Sequence, residues 1–204
     1  PELDAALHGA DELYGGAGSD WLVGLGGNDL LSGGTESDVL IGGAGDDIYH
    51  FHAGDGRDSV VDTEGNHTLV FTGFSTADMG VRFRGDQVFV GRNGSEEGIY
   101  LSKSEWGRVR FALGTPNSII ERSRLDTHYL DSAGNVLLTV KGTNALTEAS
   151  RESFMTVDAS DPQKPKVIIK SGVDEVKLEG LAGGSEGGRV RVIADGLLFI
   201  VELS

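Results

Sequence analysis

The 204-residue sequence contains no cysteine and only four prolines. The absence of cysteine excludes disulfide bonds, thiolate metal sites and a cysteine nucleophile. No apolar run approaches the ~18 residues that a membrane-spanning helix needs, so we expect no transmembrane helix. The H-E-x-x-H motif of zinc proteases is also absent. We identify no catalytic constellation and predict that the chain is not an enzyme.

Basic residues are nearly absent from the first third of the chain. Residues 1–62 hold 13 Asp and Glu side chains against one basic residue, Arg57, a formal charge of −12, whereas the whole chain carries −15. An acidic block of this kind repels nucleic acid and anionic lipid, so we expect neither as a partner and no stable membrane insertion. It attracts cations.

Glycine, with 32 residues, follows a nine-residue period and not the three-residue period of collagen. From Ala6 the chain divides into ALHGADELY, GGAGSDWLV, GLGGNDLLS, GGTESDVLI and GGAGDDIYH. The sixth position is aspartate in every repeat: Asp11, Asp20, Asp29, Asp38 and Asp47. The eighth is large and apolar: Leu13, Leu22, Leu31, Leu40 and Tyr49. This pattern predicts a solenoid, and it disfavours a flexible linker, which has no reason to place an apolar residue at every ninth residue.

Each nonapeptide predicts a six-residue glycine turn followed by a three-residue strand whose middle side chain points inward. Two nonapeptides complete one coil, so repeat n stacks on repeat n+2 and the sixth-position aspartates of the two repeats approach each other. Carboxylates in contact cost free energy unless a cation lies between them. Ca²⁺ accepts six to eight carboxylate and carbonyl oxygens in a flexible geometry, and we therefore predict Ca²⁺ between the coils.

The five nonapeptides resemble the RTX, or haemolysin-type calcium-binding, repeats of Gram-negative secreted proteins. Residues 51–62, FHAGDGRDSVVD, are similar to the segment that closes RTX arrays, and residues 66–91 are similar to the β-rich region that follows them. The resemblance is clear over residues 1–62 and ends near Thr115. It implies a parallel β-roll, a secreted protein and export by type I secretion machinery.

The resemblance also implies a ligand set for about three or four Ca²⁺ ions. The aspartate pairs are Asp11 with Asp29, Asp20 with Asp38, Asp29 with Asp47, and Asp38 with either Asp55 or Asp58. Carbonyl oxygens of the turn glycines Gly16, Gly18, Gly27, Gly34, Gly43 and Gly45 complete the shells. Two departures weaken the pattern: the first repeat begins ALH where the family has GGx, and Glu36 replaces the fourth-position glycine.

The rest of the chain is predicted to be β-structure, so the fold class is all-β: a parallel β-roll followed by a sheet or sandwich. We predict a roll at 1–62, a β-rich capping region at 63–114 and a β-rich domain of unrecognised type at 115–204. A hairpin is expected within 125–141, and a short helix or loop at 143–153. The C-terminal residues 195–204 resemble a type I secretion signal, and a final strand explains them equally well.

Three short motifs have ordinary structural explanations. His50 and His52 share a strand face, but no third zinc ligand stands at a recognisable spacing, so we expect surface histidines. Arg84-Gly85-Asp86 and Asp161-Pro162 are expected to be turns.

The sequence thus predicts a non-catalytic module that binds Ca²⁺ and folds on binding it. The absence of an initiator Met and of a signal peptide indicates a piece of a longer secreted protein. The alternative is that the later residues recognise a host or bacterial surface, as an adhesin does, or carry an unfamiliar hydrolase activity, with the roll as their calcium-dependent scaffold.

Overall fold

A computed structural model describes residues 8–62, 64–120, 124–130 and 132–140, and five later strands at 155–158, 166–169, 175–179, 189–194 and 197–203. The described residues are almost entirely β-structure, with a single 3-10 turn at Trp106–Arg108, which confirms the predicted all-β class. No helix in these ranges is long and apolar enough to cross a membrane. The chain forms two compact units, Pro1–Met79 with Asp86–Ile120, and Gly80–Gly85 with Glu121–Ser204.

The first unit begins with a parallel β-roll of seven strands. They are β1 (Glu12–Ala17), β2 (Trp21–Gly26), β3 (Leu30–Thr35), β4 (Val39–Ala44), β5 (Ile48–His52), β6 (Arg57–Val60) and β7 (His67–Thr72). Odd-numbered strands pair in parallel in one sheet, and even-numbered strands in the other. Leu13 lies opposite Leu31, and Leu22 opposite Leu40. The predicted stacking of repeat n on repeat n+2 is confirmed.

The strands are longer than the sequence predicts. Each of β1 to β4 has six residues, not three, because pairing between coils continues through the glycines that open the next repeat. Gly16 pairs with Gly34, and Ala17 with Thr35. The turn proper is therefore only about three residues long.

The inward side chains form a narrow core between the two sheets. Leu31, Leu40 and Tyr49 are fully buried, whereas Leu13 and Leu22, in the first coil, are half-buried. After Tyr49 the chain inserts two residues once, so that the pairs β4–β6 and β5–β7 both have an offset of 20 residues, with Val39 opposite Ser59 and Ile48 opposite Thr68. An insertion of two preserves the alternation of a strand, and Phe51 therefore also points inward and is buried.

Strands that follow the array within the first unit extend both sheets of the roll. They are β9 (Gln87–Arg92), β10 (Gly98–Ser102), β11 (Val109–Leu113) and β12 (Ile119–Ile120), whereas β8 (Met79–Arg84) lies almost entirely in the second unit. Strand β10 pairs in parallel with β6, and β11 pairs in parallel with β7. Phe71, Ile99 and Phe111 are fully buried, so they continue the core beyond the repeats.

The second unit contains strands β13 (Asp126–Leu130), β14 (Val136–Val140), β15 (Met155–Asp158), β16 (Lys166–Ile169), β17 (Glu175–Glu179), β18 (Arg189–Ala194) and β19 (Leu197–Leu203). The predicted hairpin is confirmed as β13 and β14. The C-terminal apolar segment forms β19, which pairs with β14 and β18. The predictions for residues 143–153 and for Asp161-Pro162 lie outside the described residues.

Candidate calcium sites of the roll

The sixth-position aspartates form a hydrogen-bonded ladder along each side of the roll. In each case a carboxylate Oδ1 accepts the backbone N–H of the aspartate one coil earlier. The four bonds are Asp11 N to Asp29 Oδ1 at 2.8 Å, Asp20 N to Asp38 Oδ1 at 2.7 Å, Asp29 N to Asp47 Oδ1 at 2.8 Å, and Asp38 N to Asp58 Oδ1 at 3.0 Å. The predicted aspartate pairs therefore lie on adjacent coils, and Asp58, not Asp55, takes the ladder position above Asp38.

The second carboxylate oxygen of this ladder is left without a partner. The Oδ2 atoms of Asp20, Asp29, Asp38, Asp47 and Asp58 are buried, and none makes a hydrogen bond within the described part of the chain. A buried carboxylate oxygen without a partner costs free energy, because it has lost water and gained nothing in return. Five such atoms at equivalent positions of successive repeats indicate that cations bind there.

The glycine that begins each of repeats two to five forms a cradle beside this oxygen. A Cβ added to Gly15, Gly24, Gly33 or Gly42 would lie between 2.1 and 2.7 Å from the Oδ2 of the aspartate five residues later. At Gly15 the same point lies 2.5 Å from the carbonyl oxygen of Gly33, one coil further on. Each of these oxygens therefore packs against a glycine Cα, where no side chain would fit. Buried carboxylate and carbonyl oxygens are the ligands that Ca²⁺ takes, so the donor atoms present fit this ion.

The raised pKa values of two ladder carboxyl groups also indicate that the ladder needs bound cations. Burial, together with the charges of Asp38 and Asp55, raises the pKa of Asp58 to about 7. Burial, with a contribution from Asp62, raises the pKa of Asp47 to about 6. Both carboxyl groups therefore resist ionisation when no cation is bound.

Asp55 lies beside the ladder. Its Oδ2 accepts the backbone N–H of His52 at 2.6 Å and lies 3.4 Å from the Nδ1 atom of the same histidine. His50 contacts Thr72 through Nε2 at 2.8 Å. The two histidines stack with ring centroids 4.3 Å apart. Neither His50 nor His52 belongs to a cluster of three candidate metal ligands among the described residues.

The predicted turn glycines adopt backbone conformations that favour glycine. Gly16, Gly18, Gly27, Gly34, Gly43 and Gly45 all have φ between 96° and 138°. A Cβ on Gly34 would lie 1.9 Å from the Gly16 carbonyl oxygen of the preceding coil. Two repeats lack glycine at such a position, and there Leu25 and Glu36 adopt φ of 76° and 89°.

A further cluster ends the odd-numbered side of the roll. His67 occupies the sixth position of the next turn, because Thr68 donates its N–H to the Asp47 carbonyl oxygen at 2.8 Å, as Ile48 does to Asp29. Its Nδ1 lies 3.3 Å from Asp62 Oδ2 and 4.0 Å from Asp47 Oδ2. All three side chains are buried. Burial lowers the pKa of His67 and favours the neutral imidazole.

Stacked turns, a ladder of paired carboxylates and glycine cradles define a calcium-binding β-roll. A family model described as the RTX calcium-binding nonapeptide repeat matches residues 8–40 and 23–60 in four copies. Residues 8–60 are therefore RTX calcium-binding nonapeptide repeats, and the predicted resemblance is confirmed. A comparison with curated proteins gives no match.

Two groups of residues at these sites were missing from the sequence prediction. The first is the position-one glycines, which could have been found because each repeat from Gly15 onward begins with glycine. The second is Asp62 and His67. Residues 65–69, GNHTL, keep the repeat pattern of glycine at position four and an apolar residue at position eight, with histidine in place of aspartate.

Proposed function

We propose that this chain is a non-catalytic module of a larger secreted RTX protein, and that its roll folds as it binds Ca²⁺ after export by a type I secretion system. The observation that carries the proposal is the row of five buried Oδ2 atoms without partners, four of which lie beside the first glycine of a repeat. The ligand assignment predicted from the sequence stays part of this proposal. The aspartate ladder leaves four gaps between adjacent coils where an ion could lie. They are bordered by Asp11 and Asp29, Asp20 and Asp38, Asp29 and Asp47, and Asp38 and Asp58.

Charge supports folding that depends on Ca²⁺. Residues 1–62 hold 13 acids and one base, so compacting them without a cation brings like charges together. In the cytosol, where free Ca²⁺ is scarce, the segment stays open and can be threaded through an export channel. Outside, at about 1 mM Ca²⁺ and a Kd of about 0.1 mM, each site stabilises the folded state by roughly 1.4 kcal/mol. Four sites of this strength match a sizeable share of the stability of a small domain.

The five residues 183–187, GGSEG, match the G-x-S-x-G pattern of serine hydrolases. That pattern is a nucleophile elbow when a strand precedes it and a helix follows it. Here the flanking elements are strands β17 and β18, which pair antiparallel, with Glu179 opposite Arg189. The described element that follows the pattern is strand β18 and not a helix, which supports a non-catalytic module.

The test is a metal titration of the whole chain followed by circular dichroism. We expect a cooperative gain of β-structure as Ca²⁺ rises through about 0.1–1 mM, the range of extracellular calcium modules, with Mg²⁺ much less effective because it demands octahedral geometry. An unchanged spectrum between a chelator and saturating Ca²⁺ would refute folding on binding. An equal response to Mg²⁺ would refute the calcium assignment. Export is tested separately, by co-expression with a type I system.

A further inference from the structure

In the last turn on the odd-numbered side of the roll, positions one and six hold residue types that differ from those of the earlier turns. In the preceding turn, position one is Gly42 and position six is Asp47. In the last turn His67 takes position six, and Asp62 stands five residues before it, where the glycine would be. Backbone contacts fix this alignment, because Asn66 donates its N–H to Asp46 Oδ1 at 2.9 Å, just as Asp46 does to Asn28. The carboxylate has moved from position six to position one, and an imidazole has taken its place.

These two changes, Asp at position one and His at position six, bring three potential metal ligands close together. One ligand atom from each of Asp47, Asp62 and His67 lies within 4.8 Å of the other two. The exposed fractions of these residues are 1%, 2% and 1%. Neither ring nitrogen of His67 makes a hydrogen bond within the described ranges, and neither does Asp47 Oδ2. A buried imidazole with both nitrogens unbonded is rare, and a bound cation explains it.

Neighbouring groups hold the cluster in place. The Tyr49 hydroxyl donates to Asp62 Oδ2 and accepts the Gly42 N–H at 2.9 Å. Glu105 Oε1 accepts the Asp62 backbone N–H at 2.5 Å, and its Oε2 accepts the Ser102 N–H at 2.5 Å. Glu105 is therefore used in positioning the loop. Such partners orient metal ligands, and their loss reduces metal affinity.

The donor set discriminates between metals. Ca²⁺ is bound by oxygen ligands, whereas imidazole nitrogen suits Zn²⁺ and its transition-metal neighbours. With bonds of 2.0–2.1 Å, tetrahedral Zn²⁺ ligands stand about 3.3 Å apart. The separation between His67 Nδ1 and Asp62 Oδ2 is 3.3 Å, and that to Asp47 Oδ2 is 4.0 Å. Small side-chain shifts would shorten the distance between His67 Nδ1 and Asp47 Oδ2 to the value expected for two zinc ligands.

We propose that Asp47, Asp62 and His67 form a Zn²⁺ site that ends the calcium ladder where the roll meets its following strands. The proposal goes beyond the calcium function, since it assigns a different metal to a turn outside residues 8–60. Asp47 then borders a calcium gap on one side, through Oδ1 and the Asp29 turn, and the zinc site on the other. Because the site is buried, the ion enters as the chain folds.

The experiment refolds the whole chain from denaturant in saturating Ca²⁺, with and without equimolar Zn²⁺, removes free metal by dialysis against Ca²⁺ buffer, and measures bound zinc and calcium by elemental analysis. We expect about one zinc per chain, held by a single imidazole and carboxylate oxygens in the zinc-edge X-ray absorption spectrum. This measurement on the unaltered protein does not depend on how any variant folds. No retained zinc, or a spectrum with two imidazoles, would overturn the proposal.

Variants then locate the ion. His67→Gln should lower the zinc content at least tenfold. The control variant His50→Ala/His52→Ala, which removes the stacked pair of histidines outside the site, should keep the zinc content of the unaltered chain. His67→Asp restores the aspartate of the repeat, so it should lose zinc and bind at least as much calcium as the unaltered chain. Zinc that persists in either His67 variant would contradict the site. Calcium content, measured in the same samples, shows separately whether the calcium proposal holds.

Discussion

At the scale of single residues, the roll depends on backbone positions that only glycine occupies without strain. Positions two and four of repeats two to five have positive φ, and at position two of the later coils a side chain would also meet the carbonyl oxygen of the coil before. Leu25 and Glu36 violate this rule. Left-handed conformations cost a non-glycine residue roughly 1–2 kcal/mol, so both residues weaken the roll that contains them.

Leu25→Gly and Glu36→Gly should each stabilise the folded roll. The relief of backbone strain exceeds the roughly 0.4–1 kcal/mol that glycine costs through a freer unfolded chain, leaving a net gain of about 0.5–1 kcal/mol. Little packing is lost at Leu25, whose side chain is 48% exposed. The measurement is urea unfolding at saturating Ca²⁺.

Matched controls separate strain from other effects. Val23→Gly changes an exposed residue in the same strand that has no positive φ, and it should destabilise the roll. Glu36→Ala removes the same charge as Glu36→Gly but keeps the Cβ, so it should gain less. If Val23→Gly and Leu25→Gly have the same effect, positive φ is not the source of strain.

At the scale of elements, each aspartate belongs to the contact between two coils and not to one turn. Asp29 borders two gaps, because its Oδ1 bonds to Asp11 and its N–H to Asp47. Asp38 likewise lies between Asp20 and Asp58. Asp11 and Asp20 border one gap each in the ladder as described.

Asp29→Asn should therefore raise the Ca²⁺ midpoint further than Asp11→Asn, and Asp38→Asn further than Asp20→Asn. Asparagine keeps the Oδ1 acceptor for the ladder bond and removes the charge that Ca²⁺ needs. Calorimetric titration should show about two sites weakened in each inner variant and about one in each outer variant. Equal shifts within both pairs would be inconsistent with ligands shared between gaps.

At the scale of the whole molecule, the roll does not end where its repeats end. Parallel backbone pairing continues from β6 to β10 and from β7 to β11, so both sheets gain a further strand after the array. Solenoid ends need such cover because an open end exposes apolar side chains. Phe51, Phe71 and Phe111 are buried in this shared core.

A chain ending at Asp62 should consequently remain unfolded even at about 10 mM Ca²⁺, well above the 10⁻⁴–10⁻³ M range of extracellular modules. Ordering each residue costs about 1–2 kcal/mol, and the inward residues of the short chain cannot offset that cost without the strands that cover them. A chain ending at Ile120, which retains the first compact unit, should fold at a Ca²⁺ midpoint close to that of the full chain. Circular dichroism and calcium titration on all three chains provide the comparison.

The outcome for the short chain decides whether the strands act as a cap. If it folds with the midpoint of the full chain, β10 and β11 do not stabilise the roll, and a separate role for them becomes the better hypothesis. If the chain ending at Ile120 also fails to fold, the second unit contributes to the stability of the first.

The sequence by itself determined the class of fold and the stacking of alternate repeats, and it predicted calcium as the ion, because a strict nine-residue period places Asp and an apolar residue in fixed register. Tertiary structure alone decided what happens after Tyr49. A two-residue insertion there ends the period in sequence, yet hydrogen bonding between coils keeps it in space, with Thr68 beside Ile48. Backbone pairing tolerates such an insertion because strands alternate with period two. For that reason His67 and Asp62 meet Asp47 only in the folded chain.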